Sequence, residues 1–281
     1  MSKFNMVAES EVSTVLAEYK PEVQKHTTYQ SEADLERELI RNLQEQGYEY
    51  LQIHNAHDLE DNLRKQLEKL NNYIFSDAEW QRFFFEHIVG NSEGVVEKTR
   101  KIQEKDTAIS FRAEDGHTQN IRLLDKKSIH NNSLQVINQY AVSKGEGAEH
   151  DNRYDVTILV NGLPLVHIEL KRRGVRLREA FNQIKRYSRE SFSASSGLFE
   201  YVQIFVISNG THTKYYSNTT RESHIEELGE AGRKKSKKTS NSFEFTSFWA
   251  DANNKIIPDL VDFTRTFFAK HTILNILTKY C

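Results

Sequence analysis

The 281-residue sequence predicts an α/β fold, a central mixed sheet flanked by helices. Three observations predict it. Two apolar strand-like runs, 154–160 and 164–171, meet at Asn161-Gly162, the dipeptide most typical of a tight hairpin. An amphipathic stretch, 176–192, follows at once, with Ala180, Phe181 and Ile184 on its apolar stripe. Another apolar run, 201–208, comes after it, so strand, strand, helix and strand succeed one another.

The elements before and after this centre follow in order. Residues 1–30 show little periodicity and read as an N-terminal arm. Ser31 is a favourable N-cap with Asp34 three residues on, and Leu35, Leu39 and Leu43 recur every fourth position, so a helix runs from there to Gly47. Residues 48–53 read as a strand. Residues 57–71 and 77–88 read as helices, the second contributing Trp80, Phe83, Phe84 and Phe85 to the core. From Thr107 the texture shifts to short alternating runs, and 107–112, 120–125 and 134–142 predict strands. Residues 211–217 pair with 201–208 across Asn209-Gly210.

Residues 221–242 are polar and contain the basic run Arg233 to Lys238, which predicts a flexible, solvated loop, with contact to DNA or a partner the alternative. Residues 258–280 return to a helical pattern through Leu260, Phe263, Phe267, Ile273 and Leu277. The organisation expected is an arm (1–30), one domain (31–220), a charged loop (221–242) and a C-terminal helical segment (243–281). The text stops in apolar sequence at Tyr280-Cys281, as a piece of a longer chain would.

Composition narrows the classes. Lys plus Arg number 38 and Asp plus Glu 40, a net charge of −2, which excludes a globally basic nucleic-acid coat protein but not a local basic face. With 37% apolar residues, 12 Gly and 3 Pro, collagenous, low-complexity and wholly disordered chains are excluded. The single cysteine, Cys281, leaves no intrachain disulfide and no multi-cysteine zinc site. No apolar leader opens the sequence, and 201–208 is too short to span a bilayer, so a soluble cytoplasmic protein is expected.

Chemistry concentrates in the hairpin. Asp155 begins one strand, and Glu169 and Lys171 share a face of the next, with Val166, Ile168 and Leu170 pointing the other way. Two carboxylates beside a lysine suit a hard cation such as Mg²⁺, which activates a bound water and offsets phosphate charge. The lysine stabilises developing negative charge or positions the water. A salt-bridged strand pair is the ordinary alternative. Glu18-Tyr19-Lys20 repeats the Glu-x-Lys spacing but has neither apolar strand text nor an acidic partner.

Register constrains this reading. A plain two-residue turn would pair 155 with 168 and put Asp155 and Glu169 on opposite faces. An odd loop or a bulge is required, and a three-residue loop with a glycine bulge at Asn161-Gly162 is the expectation. On the following helix, Gln183 and Tyr187 lie four apart and border the apolar stripe. Residues 171–190 hold eight basic and two acidic residues, a local charge of +6 that attracts phosphate.

Asp155, Glu169-Leu170-Lys171 and Gln183-x-x-x-Tyr187 together resemble the PD-(D/E)xK nuclease core with the Q-x-x-x-Y motif of the RecB-like group. NRYDVTILVNGLPLV from Asn152, running into HIELKRRG from His167, is similar to the N-terminal endonuclease domain of the R (motor) subunit of type I restriction enzymes, nearest the IC-type branch. SEADLERELI from Ser31, EAFNQIKRY from Glu179 and FVISNG from Phe205 extend the likeness from about residue 28 to the end.

The resemblance implies a restriction-endonuclease-like fold and a domain, 31–220, that cuts double-stranded DNA with Mg²⁺. It implies Asp155 and Glu169 as metal ligands, the Leu170 carbonyl as a further one, and Lys171 as the catalytic lysine. Gln183 and Tyr187 would support the site by contacting DNA or orienting the lysine. An acidic residue of the first helix would lie near the metal, with Glu36 the first choice and Glu32 the second. Tyr154 stands where the family motif often has Pro. The resemblance further implies methyltransferase (M) and specificity (S) subunits as partners, and helicase-like motor domains that consume ATP beyond residue 281. No Gly-Lys dipeptide occurs, so no ATP-binding P-loop lies in this chain.

Other patterns are weaker. Gly90-Asn91-Ser92-Glu93-Gly94 matches a nucleophile elbow but follows a helix instead of a strand. His54 and His57 lack a third ligand and read as surface histidines. His167 shares the face of Glu169 and Lys171 and reads as an idle neighbour, with contact to DNA or to a water the sharper alternative. Asn138 and Gln139 are possible polar supports. Two other functions fit the same text: a docking module joining a motor to a methyltransferase core, and a stand-alone repair nuclease.

Overall fold

A six-stranded mixed sheet organises the chain in the computed structural model, which describes residues 6–10, 13–16, 29–90, 93–104, 108–142, 152–190, 192, 196–218 and 241–279. Most of the 1–30 arm, Asn91, Ser92, Tyr280, Cys281 and the loop from 219 to 240, with its basic run, lie outside the described residues.

The elements are β1 (Met6–Ser10), β2 (Ser13–Leu16), α1 (Glu32–Glu45), β3 (Glu49–Tyr50), α2 (Ala56–Asn71), α3 (Asp77–Phe83), α4 (Val95–Gln103), β4 (Ala108–Arg112), β5 (Thr118–Arg122), β6 (Leu134–Val142), β7 (Asn152–Val160), β8 (Leu163–Leu170), α5 (Leu177–Glu190), β9 (Ile204–Ser208), β10 (Thr213–Ser217), α6 (Leu260–Phe267) and α7 (Lys270–Lys279). The sheet order is β10-β9-β8-β7-β6-β3. β8 runs parallel to β9 and β3 parallel to β6; the other pairs are antiparallel.

Local signals account for most of these elements. Ser31 and Asp34 form a capping box that starts α1. Leu35, Leu39 and Leu43 are each at most 1% exposed, and burying each contributes about 1.5–3 kcal/mol. The Tyr48 hydroxyl donates to the Phe268 carbonyl at 2.7 Å and Gln46 to the Thr264 carbonyl at 3.2 Å, which ties the end of α1 to α6. Gly47 has φ +87°, the left-handed exit its type allows.

Several elements differ from the sequence expectation. The 48–53 strand is only the two-residue edge strand β3. The 77–88 helix widens after Phe83 into a π-helical turn, Phe84–Ile88, which buries Phe84 and Ile88 and turns Phe85 outward. α4 has no predicted counterpart, because its inward face carries Lys98, an unreadable core position until its ion pair with Glu200 is seen. β4 and β5 pair with each other outside the central sheet. The 258–280 helix is two helices, α6 and α7.

The hairpin loop corrects a specific expectation. It is a two-residue turn, with Val160 paired to Leu163, not a three-residue loop with a glycine bulge. Asn161 (φ +50°) and Gly162 (φ +83°) both take the left-handed conformation that the strand twist demands. The required extra residue lies two rungs inside the strand instead. Leu159 pairs with Pro164 but Ile158 with Val166, so Leu165 is bulged out of register. The shift restores the pairing Val156 with Ile168 and brings Asp155 level with Glu169. The turn itself is clamped: Asn161 accepts from the Ser133 amide at 2.8 Å and donates to the Leu123 carbonyl at 3.0 Å.

A Cβ at Gly162 would stand 2.6 Å from the Leu63 Cα of α2. Gly162→Ala is therefore expected to destabilise the fold by roughly 1–3 kcal/mol, from left-handed strain plus the clash. Chemical denaturation measures it, and an unchanged midpoint would mean that α2 does not pack on this turn.

Candidate active site

The β7–β8 ladder ends at Val156 and Ile168, and side chains continue it. Asp155 Oδ2 accepts the Leu170 N–H at 2.9 Å, a bond that a backbone carbonyl would otherwise take. Glu169 is fully buried. Lys171 Nζ donates to Glu169 Oε1 and to the Leu170 carbonyl, both at 2.9 Å, while the Lys171 N–H donates to the Ser208 carbonyl of β9 at 2.8 Å. The parallel β8–β9 pairing thus fixes the backbone from which the lysine reaches back to its glutamate. The three predicted residues meet at one end of the hairpin strands.

Burial sets the electrostatics. Desolvation pushes the Asp155 carboxyl well above its usual range, and the charge of Glu169 adds to the shift. Desolvation also raises Glu169, against the pull of Lys171. Burial opposes the charge of Lys171, but Glu169 and Asp155 outweigh it and hold the ammonium above its ordinary value. Glu169 Oε2 is buried with no hydrogen-bond partner among the described residues. Among those residues no group of three or more His, Cys, Asp or Glu side chains is placed to hold a metal ion. The available donors are two carboxylates and the second lone pair of the Leu170 carbonyl. That oxygen set, with one oxygen orphaned, fits a hard divalent cation that keeps several of its waters.

The surrounding residues take distinct places. Gln183, half-buried on α5, donates to the Tyr187 hydroxyl, and Tyr187 donates to the Arg153 carbonyl at 2.8 Å. Tyr187 is 2% exposed and its ring packs on Tyr154 and His167, so it braces β7 from inside and does not face solvent. Tyr154, at the position where Pro was expected, joins this cluster with Phe192 and Phe199. His167 is fully buried, held neutral with its pKa down at about 4 by burial, and its Nε2 lies 3.7 Å from Glu169 Oε2. Arg172, Arg176, Arg178 and Arg186 are exposed, Arg172 next after Lys171, Arg186 over the Tyr187 ring and Arg178 over the Phe243 ring.

On α1 the two acidic candidates separate. Glu36 accepts from Asn138 Nδ2 at 2.5 Å and from Gln139 Nε2, both on β6. Glu32 is exposed and accepts weakly from the Arg172 amide at 3.4 Å, and its charge acts on both Glu169 and Lys171. By sequence, Gln139 is no more than a possible support. It has φ +53° in the middle of a strand, and no sequence signal marks a glutamine for that conformation. His54 and His57 are exposed, as expected.

A mixed sheet with Asp, Glu and Lys converging at one end of a central hairpin defines a restriction-endonuclease-like nuclease architecture. The sequence profile described as type I restriction enzyme R protein N terminus matches residues 29–224, and the chain belongs to this family. It is 51% identical over 275 residues to the type I restriction enzyme EcoprrI endonuclease subunit of Escherichia coli, covering 98% of this chain and 81% of that protein. It is 37% identical over 257 residues to the SsaAORF53P endonuclease subunit of Staphylococcus saprophyticus and 35% over 260 residues to the SauMSSORF170P subunit of Staphylococcus aureus, covering 90% of this chain in each case. The chain spans about a quarter (24%) of the length of these two staphylococcal relatives. No helix among the described residues is long and apolar enough to cross a membrane.

Proposed function

We propose that the chain is a DNA-cutting domain that hydrolyses phosphodiester bonds of double-stranded DNA with Mg²⁺ held by Asp155, Glu169 and the Leu170 carbonyl. The observation that carries this reading is the convergence of half-buried Asp155, fully buried Glu169 and Lys171, with no donor among the described residues bonded to Glu169 Oε2. A cation bound there lowers the pKa of a water and offsets charge on the scissile phosphate. Lys171, fixed by Glu169 and kept protonated, stabilises the negative charge that builds on the phosphate oxygens. Tyr187 and Gln183 brace the β7 backbone behind Asp155. The exposed arginines that follow Lys171 and lie on α5 hold the DNA backbone, with no demand on base sequence.

In the whole enzyme, cutting is coupled to ATP-driven translocation by motor domains outside this chain. Methyltransferase and specificity subunits supply the target site, and the assembly works in the cytoplasm against foreign DNA. The family match and the relatives' names, type I restriction enzyme endonuclease subunits, support a place in a multisubunit restriction enzyme. The catalytic residues lie within 31–220, and helices α6 and α7 pack into the same hydrophobic core through Phe263, Phe267, Ile273 and Leu277.

Asp155→Ala is expected to abolish plasmid cleavage by the assembled enzyme and Mg²⁺ uptake by this chain in calorimetry. Undiminished cutting would remove Asp155 from the reaction and sink the assignment.

A further inference from the structure

Gln139 is the one left-handed non-glycine residue, among the described residues, that lies inside a strand; the others, Asn72, Asn161 and Asn254, are asparagines at turns or a helix end. Asparagine tolerates this conformation far better than a side chain as long as glutamine. The strain falls at a particular rung. Asn138 pairs with Val156 and Tyr140 with Tyr154, so Gln139 stands opposite Asp155, and that rung is left out of the β6–β7 pairing. Asp155 is also where the β7–β8 ladder gives way to the side-chain bond with the Leu170 amide. From the same kink the Gln139 amide reaches α1 and grips Glu36, with Asn138 gripping the other carboxylate oxygen and Tyr50 donating to Asn138 at 2.8 Å. Strain of this kind persists only where the surroundings over-determine it, and it clusters at functional sites.

We propose that Gln139 is a positioning residue that sets the place of Asp155 and Glu36 relative to each other. The proposal rests on the cation site described above. A regular residue at 139 would close the rung and draw Asp155 back into the ladder. Loss of the amide alone would free Glu36 from β6.

Two substitutions separate these parts in the 281-residue chain. Gln139→Ala and Gln139→Gly both remove the amide, but only glycine relieves the strain. In the metal-free chain Gln139→Gly should melt above Gln139→Ala, the reverse of the usual order in a strand. Mn²⁺ binding, counted by electron paramagnetic resonance, should weaken about tenfold or more in both. Gln139→Asn keeps a residue suited to the left-handed conformation but shortens the reach, and should lose affinity likewise. Affinity that simply follows melting temperature, with Gln139→Gly recovering what Gln139→Ala loses, would reduce Gln139 to a structural residue and overturn the proposal. Asp155→Ala is the control: Mn²⁺ binding that survives it would overturn the cation site itself, whatever happens at Gln139.

Discussion

Glu169→Gln is expected to stabilise the metal-free chain while crippling cleavage. The carboxyl is fully buried, and desolvation raises its pKa even with Lys171 bonded to it, so the charged form is unfavourable in the fold overall. Glutamine keeps the shape and an oxygen for Lys171 but carries no charge into the interior. It also removes the repulsion that raises Asp155. At pH 8 the metal-free variant should gain on the order of 1 kcal/mol in denaturant unfolding. Cleavage should fall on the order of a thousandfold, because a neutral amide neither binds the cation strongly nor orients Lys171 as an ion pair. Loss of stability together with loss of cutting would mean that the Glu169–Lys171 pair is a structural salt bridge, the ordinary reading of the same residues.

The second large effect is on pH dependence. Asp155 and Glu169 both have folded-state pKa values raised to about 7 by burial. A carboxyl with a raised folded pKa contributes stability that is fully present below its unfolded value near 4 and is lost as pH rises through the folded value. The metal-free chain should therefore lose stability between about pH 4 and pH 7, where most proteins gain it from paired carboxylates. A bound cation requires the ionised forms, so Mg²⁺ should restore stability above pH 7 and release protons on binding. Calorimetry in buffers of different ionisation enthalpy counts those protons. No release at pH 6 would mean that the two acids are already ionised without metal.

Much of the site was legible because its chemistry lies in short sequence spacings. Asp155, Glu169 and Lys171 follow from strand periodicity, and the structure brings them together. The need for an extra residue between them was also legible, from register arithmetic alone. Its position was not: a bulge at Leu165 leaves no mark in an apolar strand whose residues are all buried, whereas Asn161-Gly162 announces a turn. Lys98 hid α4 in the same way, since a charged residue at a core position is readable only once Glu200, a hundred residues on, is placed. The strain at Gln139 and the difference between Glu32 and Glu36 depend on how α1 meets β6 and β8, which local text does not contain.

Lys171→Ala, introduced into the full-length subunit assembled with the methyltransferase partners proposed above, asks whether this domain cuts DNA through the site at Lys171. ATP hydrolysis and plasmid cleavage are recorded side by side. Cleavage is expected to disappear while ATP hydrolysis persists at its normal rate. Cleavage that continues at an undiminished rate would place the cutting centre elsewhere and leave this chain as a docking module.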